Sequence, residues 1–132
     1  MSQLHRGDIV RVDLGGPDDD DTRGSEMYKE RPAVVIQNDL GNQHSATTII
    51  APITGGQSGY PFHANLSVST PGLSKQSYVA LDQIRTVDIE ERITETLGNV
   101  PDHDMGQLDR AIKISLGLDG GGSEPQEIPS TW

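Results

Sequence analysis

A mainly β chain with one C-terminal helix, its strands rolled into a small barrel or a strongly curved antiparallel sheet, is the fold this sequence predicts. Three observations predict it. Short segments that alternate apolar with polar residues, or run apolar for a few positions, recur between Gly, Pro, Asn and Asp turn signals as far as Val100. After that, a single stretch carries apolar residues at helical spacing. The chain of 132 residues is long enough for one domain with a modest core.

The first strand is Gly7 to Leu14, where Val10, Val12 and Leu14 alternate with Ile9, Arg11 and Asp13. A connection from Gly15 to Glu30 follows, longer than an ordinary one and therefore expected to be mobile or functional. Its four successive aspartates, Asp18 to Asp21, read as solvated surface rather than a cation site. Arg31-Pro32 marks a strand entrance, because proline fixes its own φ and biases the residue before it toward extended geometry. Ala33 to Ile36 then reads as a strand buried on both faces, with turn chemistry at Asn38-Asp39 and Gly41-Asn42. Thr47 to Thr54 is the next strand, in which Pro52 requires an edge, a bulge or the strand end.

Gly55-Gly56 is pliable, and Phe62 to Val68 alternates as a strand that sets His63 on the solvent face. Pro71-Gly72 turns the chain into a strand from Ser77 to Ile84, which Arg85 to Asp88 leaves. Glu90 to Arg92 reads as a helical turn and Ile93 to Val100 as a short final strand. The helix spans Asp102 to Leu118, with Met105, Leu108, Ile112 and Leu116 as its apolar stripe. Asp102 and Asp104 suit the positive end of its dipole, and Gly117 or Gly120 can end it. Residues 119–132, rich in Gly, Ser, Pro and Glu, are expected to form a mobile tail.

Composition narrows the function. The net charge is −10, with three lysines in the whole chain, which excludes general adhesion to polyanions and leaves only a local nucleic-acid site. An acidic, lysine-poor surface also suits concentrated salt, and a halophilic source is expected. Without cysteine there is no disulfide, thiolate metal site or cysteine nucleophile. His5, His44 and His103 are too scattered for a metal site. No segment approaches the roughly 18 apolar residues of a membrane helix, so no membrane association and a cytoplasmic protein are expected.

Six blocks, in order, resemble the MazF/PemK toxins of toxin–antitoxin systems. They are Arg6 to Val10, Glu30 to Asn38, Ala51 to Thr54, Gly72 to Lys75, Asp82 to Asp88 and Asp109 to Leu118, and the likeness covers about residues 5–118. The resemblance implies an SH3-like barrel, a homodimer, and an endoribonuclease that cuts single-stranded RNA without metal or other cofactor. It also implies a cognate antitoxin, through whose complex any DNA contact would come. Arg31 and Thr54 match the family's catalytic pair beside the scissile phosphate.

The residue chemistry agrees with that match. With the 2′-OH as internal nucleophile, the protein need supply only a proton acceptor, a proton donor and a cation for the charge on phosphorus. Arg31 offers a planar fork of donors, Thr54 a hydroxyl. Arginine is a poor proton acceptor, which leaves the carboxylates Asp82 and Glu26, with Asp82 preferred; either also suits a base edge or the ordering of Arg31. Gln83 suits a base edge, while Ser25, Glu26 and Met27 lie in the loop expected to cover RNA. Two readings from other classes use the same barrel: a toxin that binds DNA gyrase without cutting, like the CcdB toxins, and a catalytically silent RNA-binding module.

Overall fold

In the computed structural model, residues 3–16 and 27–119 are described. The expectations placed on residues 17–26 and 120–132, including loop and tail mobility, lie outside them.

The first strand forms as the alternation requires: β1 (Asp8–Asp13) buries Ile9, Val10 and Val12 completely. It pairs antiparallel with β2 (Glu30–Val35), where Ala33, Val34 and Val35 are all buried. The turn signals after β2 make a short helix, α1 (Asp39–His44), capped by the Asn38 side chain, which accepts from the Gly41 backbone N–H at 2.8 Å. β3 (Thr47–Gly55) returns along β2, and β4 (His63–Leu66) and β5 (Ser77–Ala80) make a hairpin beside its far end.

Two sequence expectations are corrected after β5. The strand expected to reach Ile84 stops at Ala80, and Leu81–Gln83 is a 3₁₀ turn that buries Leu81. Arg85 to Asp88, expected only to leave the sheet, is itself a strand, β6 (Arg85–Asp88), paired with the first half of β3. The helical turn α2 (Ile89–Arg92) and β7 (Ile93–Asn99) follow, the latter pairing with β1.

The seven strands among the described residues run in the order β4-β5-β3-β2-β1-β7, with β6 beside β3. This is the curved-sheet alternative: among the described residues no ladder joins β7 to β4, so the barrel does not close through hydrogen bonds there. The sheet nevertheless curls until its ends touch, because the Pro71-Gly72 turn between β4 and β5 lies against the backbone of β7. Gly72 has φ +92°, and a Cβ there would lie 2.9 Å from the Leu97 carbonyl; a Cβ on Gly98 would overlap the Pro71 carbonyl. Two shifts of register between β1 and β7 add to the curl.

One core cluster centres on Ile9, Val34, Ile53, Val79 and Leu81. The other holds Val10, Val12, Ala33, Val35 and Ile50, the alternate residues of the same strands. α3 (Asp102–Ser115) covers the first cluster with Leu108 and Ala111. Leu116, assigned to the apolar stripe, is instead 57% exposed, since the helix stops at Ser115 and Gly117 (φ +74°) turns the chain away. Asp104, in the first turn as expected, is also buried, accepting from the Ser67 N–H at 3.4 Å and its hydroxyl at 3.2 Å. That contact seats α3 on the β4–β5 connection.

Gly98→Ala should therefore push the Pro71-Gly72 turn off β7, and urea unfolding should show a loss of about 1–3 kcal/mol, the scale of overpacking. A second expectation concerns acid. Asp39 accepts the Arg6 backbone N–H at 2.6 Å, and this bond, opposed by desolvation, holds its carboxyl below the ordinary value of 3.8. A carboxyl lowered on folding stabilises the fold above the unfolded value and ceases to do so as pH falls through the lowered one. Acid unfolding of the wild type and Asp39→Asn should show an advantage for the wild type above about pH 4 that disappears on further acidification.

Candidate functional site

The β2–β3 ladder sets Ala33 opposite Pro52, and the same register continued by two residues sets Arg31 opposite Thr54. Both line one cleft of about 300 Å³, whose other walls come from β1, the 72–75 segment and β7. The Arg31 Nε–H donates to the Tyr28 carbonyl at 2.9 Å, which holds the guanidinium by one nitrogen. Its two terminal nitrogens have no partner among the described residues. The loop entering β2 is pinched at its neck by backbone bonds from Leu14 N–H to the Lys29 carbonyl (3.1 Å) and from Lys29 N–H to the Gly15 carbonyl. Lys29 has φ +65° there, a conformation uncommon for a side chain larger than glycine.

The cleft gathers positive charge on a strongly acidic chain. Arg11, Lys29, Arg31 and Lys75 all line it, four of the chain's ten Lys and Arg. Arg11 is partly neutralised by Glu95, 3.1 Å away. Lys75 lies over Gly55, next to Thr54: a Cβ at Gly55 would stand 2.8 Å from its Cε and 3.0 Å from its Nζ. The glycine thus gives the ammonium room beside the hydroxyl. Glu30 also lines the cleft, the one carboxylate among the described residues that does.

The remaining candidates gather elsewhere. Asp82, Gln83 and Met27 line a neighbouring hollow of about 580 Å³, on the β6 side of Pro52. The Gln83 side-chain oxygen accepts from the Met27 N–H at 3.4 Å. Ser25 and Glu26 lie outside the described residues. The structure thus brings Arg31 and Thr54 together and sets Asp82 and Gln83 side by side in a second place. Among the described residues no three His, Asp or Glu are arranged to hold a metal ion, and no helix is long and apolar enough to cross a membrane.

His63 does not face solvent as the alternation suggested. Its side chain is 9% exposed, with Nε2 2.8 Å from Asp82 Oδ1 and Nδ1 2.6 Å from the Ser58 hydroxyl. The ring stacks on Tyr78 at 4.8 Å and meets Tyr60 and Phe62 edge-on. Three of the chain's five aromatic residues therefore surround one histidine. The sequence holds little sign of this, because Asp82 and His63 meet only through the turn after β5. Lys75 had a fainter signal, a rare lysine placed in a turn after glycine.

Comparison with known proteins gives the same picture. Residues 5–116 match the PemK-like, MazF-like toxins of type II toxin–antitoxin systems. The chain is 41% identical over 117 residues to the endoribonuclease MazF of Staphylococcus saprophyticus, across 87% of this chain and 92% of that protein. Among solved structures it is similar to a mycobacterial endoribonuclease in complex with its cognate antitoxin, with a TM-score of 0.71 and 26% identity over 87% of this chain and 96% of that one. The fold is also that of MazF from Deinococcus radiodurans, with a TM-score of 0.69 and 24% identity over 89% of this chain and 99% of that one.

Proposed function

The chain belongs to the PemK-like, MazF-like toxins of type II toxin–antitoxin systems, and from that premise we propose that it is a cytoplasmic endoribonuclease cutting single-stranded RNA at selected sequences. The observation that carries the reading is the cleft in which Arg31 and Thr54 lie together among the other cations of an acidic chain. A phosphodiester seated there meets the two free nitrogens of Arg31 as a fork, the Lys75 ammonium as a point charge and the Thr54 hydroxyl as a further donor. All are aimed at a group that gains negative charge as the 2′-oxygen attacks.

The proposed reaction is a transesterification. The 2′-oxygen forms a bond to phosphorus as its proton leaves to a base, the P–O5′ bond breaks, and the departing 5′-oxygen takes a proton. The products are a 2′,3′-cyclic phosphate and a 5′-hydroxyl, and the chemistry calls for no cofactor. Arg31 stabilises charge and does not accept the proton. Of the carboxylates, Glu30 lines the cleft while Asp82 lines the neighbouring hollow and is bonded to His63, so Glu30 is the better acceptor. A cognate antitoxin would silence the enzyme by occupying this groove; that a partner of this kind exists is supported by the mycobacterial relative, which forms a complex with its cognate antitoxin. A homodimer is supported by the open edges of β4, β6 and β7, each paired on one side among the described residues.

The deciding experiment is cleavage of varied single-stranded RNAs by the purified chain at molar salt with chelator present. Wild type should yield cyclic-phosphate ends, and Arg31→Ala should lower the rate by about 10²–10³, the scale of removing one preorganised donor. A folded wild type that cuts none of them would move the reading to a toxin that acts by binding alone. Salt dependence gives a separate check: Lys75→Gln should reduce the slope of log affinity against log salt by about 0.7, the value for one phosphate contact on a single strand.

A further inference from the structure

Three of the described arginines, Arg6, Arg85 and Arg92, each give a terminal nitrogen to a protein acceptor: the Asp109 carboxylate, the Leu14 carbonyl and the Asp13 carbonyl. Arg31 is held through Nε alone, and so is Arg11, whose Nε–H donates to Glu95 Oε1 at 3.1 Å. The terminal nitrogens of Arg11, like those of Arg31, have no partner among the described residues. Both open forks line the same cleft.

Strand pairing says where the second fork lies. Arg11 stands opposite Pro32 on β2 and Glu95 on β7, so the three share the sheet face of Ile9, Val34 and Ile53. Arg31, opposite Val12, belongs to the other face with Thr54. The cleft runs over the start of β2 and the end of β3, and Lys75 bridges its two lips, lying on the side of Gly55 that a Cβ would occupy. β1 runs two strand spacings, about 10 Å, from β3, so a strand of RNA held by one phosphate at Arg31 and Thr54 can carry its next phosphate past Lys75 to Arg11. Ion pairing alone does not account for Arg11. Its side chain and that of Glu95 are 41% and 55% exposed, and an exposed pair adds little stability. The strongest pairing is end-on, two terminal nitrogens on one carboxylate. Contact through Nε instead orders the side chain and leaves the fork open, as the Tyr28 carbonyl does for Arg31.

We propose that Arg11 holds the phosphate next to the scissile one, and that Glu95 is the positioning residue that aims its fork into the cleft. The proposal rests on the endoribonuclease reading and extends its substrate contacts to a second phosphate. That phosphate keeps its charge throughout the reaction, so Arg11 binds substrate and transition state alike and contributes to affinity without changing the chemical step. Arg31 differs, because its phosphate is the one that gains charge.

The test uses the full chain and a short RNA with one mapped cut, in which each phosphate flanking the cut is replaced in turn by an uncharged methylphosphonate. On the all-phosphate RNA, Arg11→Gln should raise KM about tenfold, the lower end for a hydrogen bond to a charged group, and leave kcat in place. It should also flatten the slope of log affinity against log salt by about 0.7. On the RNA neutral at the phosphate Arg11 holds, the same substitution should have no further effect, which also shows on which side of the cut that phosphate lies. Glu95→Ala should raise KM although it removes a negative charge, whereas Glu95→Gln, which keeps an oxygen for Nε, should not; variants are confirmed as folded by thermal unfolding. Lower KM in both Glu95 variants would make Glu95 a repulsive charge and overturn its positioning role. An Arg11→Gln protein with unchanged KM, or with a loss that persists on every neutral-linkage RNA, overturns the subsite. If the wild type cuts nothing, the nuclease reading fails, and the subsite is judged on binding of RNAs made neutral at one position at a time: Arg11→Gln must weaken the all-phosphate strand and spare one neutral strand, and equal loss on all of them, or no binding, overturns it.

Discussion

The arrangement depends on one strand that serves three others. β3 pairs along one edge with β2 through Ile50 to Pro52. Along the other edge it pairs first with β6, through Thr47 to Ile50, and then with β5, through Ile53 to Gly55. Ala51 and Pro52 fall in the interval where that second edge has no partner, which is where a residue without an N–H is tolerated in mid-sheet. The change of partner lets the two halves of β3 diverge. As a result Thr54 faces Arg31 on one side and Tyr78 on the other, and the 3₁₀ turn carrying Asp82 fits into the gap beside Pro52.

Local chemistry made much of this legible. The β-branched run of β2, the alternation of β1 and the arginine before proline each state a strand and its entrance without reference to any other segment. The same holds for Thr54, which leaves its strand at a glycine pair. What the sequence withheld depends on pairing at long range. Arg85 to Asp88 is too short and too polar to announce itself, and becomes a strand only because β3 offers it an edge. His63 alternates like a solvent-facing residue. Its side chain is largely covered because its outer side is roofed by Tyr60, Phe62 and Tyr78, and because Asp82 returns to it after the turn that ends β5. Asp82 and Gln83 are legible as polar residues near a site, but their separation from Arg31 and Thr54 is not, since it follows from the 3₁₀ turn that interrupts the strand pattern after β5.

Charge gives the cleft its selectivity. A chain of net charge −10 repels a polyanion in general. Affinity must then come from short, direct contacts rather than from long-range attraction. Direct forks and ammonium contacts meet that condition; a diffuse basic surface would not. Gly55 matters in this sense, because it brings Lys75 against the strand end where Thr54 sits.

Preorganisation completes the argument. A lone surface arginine loses several rotors when it grips a phosphate, and that entropy offsets much of the contact. Arg31 has been ordered in advance by the bond from its Nε to Tyr28, on a loop whose neck is closed by the bonds joining Leu14, Gly15 and Lys29. Closing the neck requires a left-handed backbone at Lys29, which costs roughly 1–2 kcal/mol for a residue with a side chain. Glycine would avoid that cost but would remove a cation from the cleft wall. Keeping lysine at a position that sterically favours glycine is what a site selected for binding an anion, rather than for stability alone, would retain.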